Sequence, residues 1–164
     1  MGKTGSTWYA EQRIAIEGMA VEFGYTYKEA AGIVAALSPR SQWVRNKRTA
    51  RMVMQARGDK RKLKKLAVFE HCKDKACRIA KGEKPSAVLR GPKVRSFYAN
   101  LIGYEYAVTL DVWMGQYLGY QDGKLTPKQY AVYADRLRAL ARQFDVTPAD
   151  MQARMWVAIR GKGH

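Results

Sequence analysis

Two segments a hundred residues apart, Thr26-Tyr27-Lys28-Glu29 and Thr126-Pro127-Lys128-Gln129, carry the same helix-start signature. In each, the threonine side chain can accept a hydrogen bond from the third helical N–H, while Glu or Gln at that position bonds back to the threonine N–H. The second segment adds proline at the first helical position, where its missing donor costs little and its φ is already helical. Helical signals recur along the chain and strand signals do not. After Thr126, residues Tyr130, Tyr133, Ala134, Leu137, Leu140, Ala141 and Phe144 recur at three- and four-residue steps, which predicts one core-facing stripe opposite Arg136 and Arg138. Thr147-Pro148-Ala149-Asp150 starts another helix with Met151, Met155 and Ile159 on one side as packing material. Further helices are expected over about 7–23, 27–38, 42–57, 61–81, 94–102 and 112–119, with Gly24 and Gly103 as stops. The stretch from Gly103 to Leu110 reads as extended but is too short to make a sheet. The fold class is therefore all-α, a compact multi-helix domain.

With 164 residues and 47% apolar content, the chain is long enough for one core and short for two, so a single domain over 1–164 is expected. No apolar stretch resembles a secretory signal or a bilayer span, which points to a soluble, intracellular protein with no membrane partner. Cys72 and Cys77 are the only cysteines, too few for a disulfide framework or a four-cysteine cluster. With His71 they offer three metal ligands and no fourth at zinc spacing, so no metal and no cofactor is expected.

The net charge is +16, and residues 40–95 hold nineteen Lys/Arg against four acids. That segment supplies nearly all of the excess. Charge so concentrated repels itself in a folded domain unless a polyanion relieves it, and no segment joins these cations to a strongly apolar helical face, as a membrane-surface helix would. Nucleic acid is the expected partner. Arg57-Gly58-Asp59-Lys60-Arg61-Lys62-Leu63-Lys64-Lys65 has an apolar continuation in Leu63, Leu66, Val68 and Phe69, which predicts a basic helix rather than a tail.

Chemistry can be placed at Leu89-Arg90-Gly91-Pro92-Lys93, a turn opening a helix, followed eighteen residues after the lysine by Asp111 in Val108-Thr109-Leu110-Asp111. Unpaired N–H groups and the positive dipole end at a helix start suit a phosphate. A carboxylate near a sugar can stabilise an oxocarbenium-like state or activate an attacking group. Asp111 is the candidate for that role, and it also reads as an N-cap of the helix after it. Lys93 reads either as a nucleophile, if its amine were freed, or as a phosphate contact.

These residues resemble the helix-hairpin-helix DNA glycosylase superfamily, of the endonuclease III type. Gly91, Lys93 and Asp111 match the second glycine, the lysine and the aspartate of its L-x-G-x-G-x-K hairpin and V-D-T-H segment, at the family's lysine-to-aspartate spacing. Ala36-Leu37-Ser38-Pro39-Arg40-Ser41-Gln42 with Asn46-Lys47 looks like the family's L-S-A-Q-A-T-D…N-K loop, which fills the space left by an extruded base. Arg40 falls at the family's wedge position, and Ser41 reads equally as an N-cap. Leu89 replaces the first hairpin glycine, Pro92 removes one N–H, Val112-Trp113 replaces Thr-His, and the four cluster cysteines are lacking.

The resemblance implies a helix-hairpin-helix element and a cytoplasmic, monomeric enzyme of a bacterial or phage-infected cell. Such an enzyme would extrude a nucleotide from DNA and act at its N-glycosidic bond, with base-excision or strand-cleaving lyase activity. Asp111 and Lys93 would be catalytic. Arg40, Gln42, Arg45, Lys47, Arg48, Arg90, Gly91 and Arg95 would contact DNA, and Trp113 would stack on the extruded base. Trp43, Phe97, Tyr98, Tyr104 and Tyr106 are further stacking candidates, although most helical aromatics are core. A phage-type base-modifying enzyme and a DNA-binding module without chemistry are the rival readings.

Overall fold

The computed structural model describes residues 5–111, 114–121 and 125–160, and among them the regular elements are helices joined by turns. In chain order these are α1 (Gly5–Phe23), α2 (Tyr27–Ala36), α3 (Trp43–Gln55), a 3-10 turn (Lys60–Lys62), α4 (Glu70–Ala80), α5 (Pro85–Val88), α6 (Pro92–Leu101), α7 (Gly115–Leu118), α8 (Pro127–Gln143) and α9 (Pro148–Arg160). None of the described helices is long and apolar enough to cross a membrane.

Both capping boxes form. Thr26 Oγ1 accepts the Glu29 N–H at 3.1 Å and Glu29 Oε1 accepts the Thr26 N–H at 2.9 Å. Thr126 and Gln129 repeat the exchange at 3.2 and 2.9 Å. Gly24 and Gly103 follow α1 and α6, as the sequence predicts.

The helix expected over 61–81 is the main departure. Asp59 caps the 3-10 turn by accepting the Arg61 N–H at 3.0 Å, and regular helix resumes only at Glu70. A continuous helix would stack Lys60 on Lys64 and Arg61 on Lys65, like charges four residues apart. Ser41 does not cap α3: Gln42 holds that position without a side-chain bond, and Ser41 Oγ bonds the Gln42 carbonyl at 3.3 Å. The helix expected over 112–119 is described as the short α7, with residues 112–113 outside the described residues.

Phe144 leaves the predicted stripe and is exposed, because α8 ends in a Schellman motif. Asp145 takes φ +54°, its N–H bonds the Arg142 carbonyl at 3.2 Å, and the Val146 N–H bonds the Ala141 carbonyl at 3.0 Å. Val146 then packs where Phe144 was expected.

Two compact units partition the chain. The first joins residues up to Gln12 with those from Gly91 onward, and the second spans Arg13–Arg90. In the second unit α2 is the central helix, buried from Ala30 to Ala36, with α3, α4 and α5 packed against it. Its small residues let neighbours come close. A Cβ at Gly32 would lie 2.6 Å from Pro85 Cγ, so only glycine fits under α5. In the first unit, α7, α8 and α9 enclose Leu110, Met114, Leu118, Tyr130, Leu137 and Met151.

Candidate functional site

Among the described residues the extended segment between α6 and Asp111 pairs with no strand, yet each residue from Tyr104 to Asp111 has a bonded backbone group. An unpaired buried amide or carbonyl costs roughly 1–3 kcal/mol, so such a segment needs side-chain partners. Asn100 Nδ2 donates to the Tyr104 carbonyl at 2.9 Å and the Ala107 carbonyl at 2.7 Å. Tyr130 Oη donates to the Val108 carbonyl at 2.7 Å and accepts the Leu110 N–H at 2.8 Å. Gln152 Oε1 accepts the Thr109 N–H at 2.6 Å, and Arg138 Nε donates to the Tyr106 carbonyl at 3.1 Å. At the end of the segment, the Tyr120 hydroxyl donates to the Asp111 carbonyl.

The partners are themselves cross-linked. Asn100 Oδ1 receives Gln152 Nε2 at 2.6 Å and the Thr109 hydroxyl at 2.8 Å, and Gln152 Nε2 also reaches the Tyr9 hydroxyl at 2.8 Å. Asn100 and Gln152 are 2% and 3% exposed, so α1, α6 and α9 meet in a buried polar knot. The half-buried Asp111 thus follows a segment whose path is fixed residue by residue.

Two phenols in this frame are held neutral. Burial pushes Tyr120 far up, and the nearby Asp111 carboxylate adds to the effect. Burial pushes Tyr130 up to about 12, partly offset by its bonds to the Leu110 N–H and Ser96. Each therefore remains a donor across ordinary pH. Ser96 lies one turn beyond Lys93 on the same helical face.

The start of α6 is exposed. Gly91 is its N-cap at φ +83° and ψ 147°, a conformation an L side chain strains to adopt, with open space where a Cβ would stand. The Arg95 N–H already bonds the Gly91 carbonyl at 3.1 Å, so Lys93 and Val94 carry the N–H groups without an intrahelical acceptor. Lys93 and Arg95 are exposed beside them. The boundary between the two compact units falls between Arg90 and Gly91, inside the turn of the expected hairpin.

The remaining predicted contacts lie in the second unit. Arg40 stands exposed at φ +51° on the tight turn after α2, where the Ser41 N–H bonds the Ser38 carbonyl at 3.1 Å. Gln42 and Arg48 are exposed, and so is Arg90. The Arg45 guanidinium donates to the Ala67 carbonyl, and Lys47 Nζ sits 5.6 Å from the Trp43 ring centroid. Trp43 is buried, which makes it core rather than a stacking surface. Asn46 is buried as well, with its Oδ1 unpartnered. Phe97 and Tyr98 are half-buried, Tyr104 and Tyr106 are exposed, and Trp113 lies outside the described residues.

Charge divides between the units. Residues 13–90 hold nineteen Lys/Arg against seven acids, whereas 1–12 with 91–163 hold eleven against seven. The basic excess therefore belongs mainly to the unit that does not contain Lys93 and Asp111. Sequence reasoning missed Asn100, Gln152, Tyr120 and Tyr9 as site-forming residues. Tyr130 was read as core only, and nothing in helical periodicity marks its hydroxyl as a backbone partner.

A helical protein with one strongly basic unit and one carrying a braced aspartate is the class these features define. The chain belongs to a family of unknown function, DUF7178, whose model matches residues 1–163. No curated protein and no solved structure matches it.

Proposed function

We propose that this protein is a DNA-binding, glycosylase-like enzyme that extrudes a nucleotide and acts at its N-glycosidic bond. The observation that carries the reading is the bracing of Asp111: five side chains, four of them on α6, α8 and α9, hold the backbone that delivers one carboxylate. Preorganisation of this kind suits a group that must meet positive charge developing on a sugar. The basic unit supplies affinity for the phosphate backbone, and Arg40 on its exposed turn is the wedge candidate. Gly91 and the open N–H groups of α6 take a phosphate, with Lys93 as anchor. The helix-hairpin-helix resemblance and the monomeric state belong to this proposal. Lyase chemistry at Lys93 would need a Schiff base between its amine and the sugar carbon.

The test uses duplexes carrying uracil, oxidised or alkylated bases, with base release and affinity measured together. Asp111→Asn should abolish release while leaving affinity near wild type. Release that survives Asp111→Asn removes the assignment, and a modified base mass in place of an abasic site selects base modification. Failure of the wild-type protein to bind any duplex ends the reading.

A further inference from the structure

Away from Gly91 and Asp111, the second unit contains an open cleft of about 360 Å³ lined by Lys60, Arg61, Lys64, Lys73 and Glu70. Four cations face one carboxylate there. Three of them are held in place by neighbours. Lys73 is buried on α4, with its Nζ donating to the Leu63 carbonyl at 3.2 Å and lying 3.4 Å from Glu70 Oε2. Lys60 Nζ donates to Asp74 Oδ1 at 2.6 Å. Asp59, fixed as the cap of the 3-10 turn, takes Arg61 in a fork at 3.1 Å on both oxygens. Among the described residues Lys64 has no carboxylate partner, and neither do the exposed Lys62 and Lys65 on either side of it. Lys60, Arg61 and Lys73 already have much of their side-chain freedom removed, which lowers the ordering cost of taking up an anion, and Lys64 adds a positive charge that no described carboxylate pairs.

A second feature narrows the ligand. Phe69 and His71 flank Glu70, and their rings stack at 5.7 Å between centroids and 22° between planes. Phe69 remains about half exposed, although it sits at the start of α4 beside the cleft-lining Glu70. Cations beside an exposed aromatic pair are the ingredients by which proteins hold unpaired strands: charge for the phosphate, a ring face for the base.

We infer that the Lys60–Lys73 cleft is a nucleotide subsite for an unpaired nucleic-acid strand, with the phosphate among Lys64, Arg61 and Lys73 and the adjacent base on Phe69. The partner class rests on the nucleic-acid reading of the previous subsection, but the site does not depend on Asp111.

The experiment titrates full-length protein with oligo(dT) and with duplex DNA over a range of salt. The variants are Lys64→Ala and Phe69→Ala, both at exposed positions, with Arg78→Ala as a control that removes one charge from the same unit. Lys64→Ala should lower the log–log salt slope for oligo(dT) by about 0.7, the contribution of one single-strand phosphate. Phe69→Ala should weaken oligo(dT) binding by roughly five- to a hundredfold without changing that slope, as loss of one stacked base does. Arg78→Ala should do neither. If wild type binds duplex while Lys64→Ala and Phe69→Ala match the control on oligo(dT), the subsite is refuted and the broader reading stands. Absence of wild-type binding to either DNA overturns both. Tighter binding to phosphatidylserine vesicles than to oligo(dT), indifferent to Phe69→Ala, overturns the subsite in favour of a lipid surface.

Discussion

Tyr130 Oη accepts the Leu110 N–H at 2.8 Å, one residue before Asp111, and donates its own hydrogen bond to the Val108 carbonyl at 2.7 Å. A single helical phenol thus serves both backbone groups that a neighbouring strand would have served. Its removal should be felt in stability and in the placement of Asp111.

Tyr130→Phe should destabilise the protein by roughly 2–4 kcal/mol near neutral pH, since two buried backbone groups lose their partner. The folded state raises the Tyr130 pKa from 10.0 to about 12, so the unfolded chain gives up this proton first as pH rises. That contribution is fully present below pH 10 and is lost as pH climbs through about 12. Urea denaturation between pH 8 and 12 should show wild type losing stability more steeply than Tyr130→Phe. The variant should keep the part of the fall that comes from the other raised phenols, Tyr120 foremost and Tyr25, Tyr27 and Tyr98 with it. Equal slopes would mean that Tyr130 is not held neutral by the fold.

Asn100→Leu should cost about 3 kcal/mol or more, because the Tyr104 and Ala107 carbonyls and the Gln152 amide all lose a partner. Gln152→Leu should also destabilise, through the Thr109 N–H. The double variant should lose less than the sum, since the two residues belong to one network. Strict additivity in chemical denaturation would show that Asn100 and Gln152 act independently.

Gly32→Ala and Gly18→Ala should move stability in opposite directions. Alanine favours a helix over glycine by about 1 kcal/mol, and at Gly18 a Cβ meets nothing within 4 Å, so that variant should gain stability. At Gly32 the new methyl meets Pro85 Cβ at 2.8 Å and Cγ at 2.6 Å, and overpacking of this kind costs about 1–3 kcal/mol. Thermal melts of the two variants read the contrast directly.

Local chemistry made much of the helical layout legible. Thr26 and Thr126 name their helix starts because a capping box is satisfied within four residues. The stripe from Tyr130 to Ala141 names its buried face through the 3.6-residue period. The segment 61–69 misled, because its apolar residues suit a helix while its charges repel along one. Phe144 misled for a different reason: the Asp145 turn depends on backbone geometry that periodicity does not encode. At the candidate site, Lys93 and Asp111 could be singled out by spacing, but their bracing could not. Gln152 acts on Thr109 from 43 residues away and Tyr130 on Leu110 from 20 away. Such pairings exist only once the helices have packed.

The way this segment is held sets what may vary in it. Tyr104 and Ala107 are gripped by main-chain atoms, so their side chains are released from the task of keeping the path to Asp111, whereas Val108 and Leu110 are held both by main-chain atoms and by burial in the core. The obligation passes to Asn100, Tyr130 and Gln152, which lie outside the segment they secure. Across descendants of this chain, those three should therefore drift together or not at all, while exposed positions of the loop they guard, such as Tyr104 and Glu105, are free to be rewritten around an unchanged aspartate.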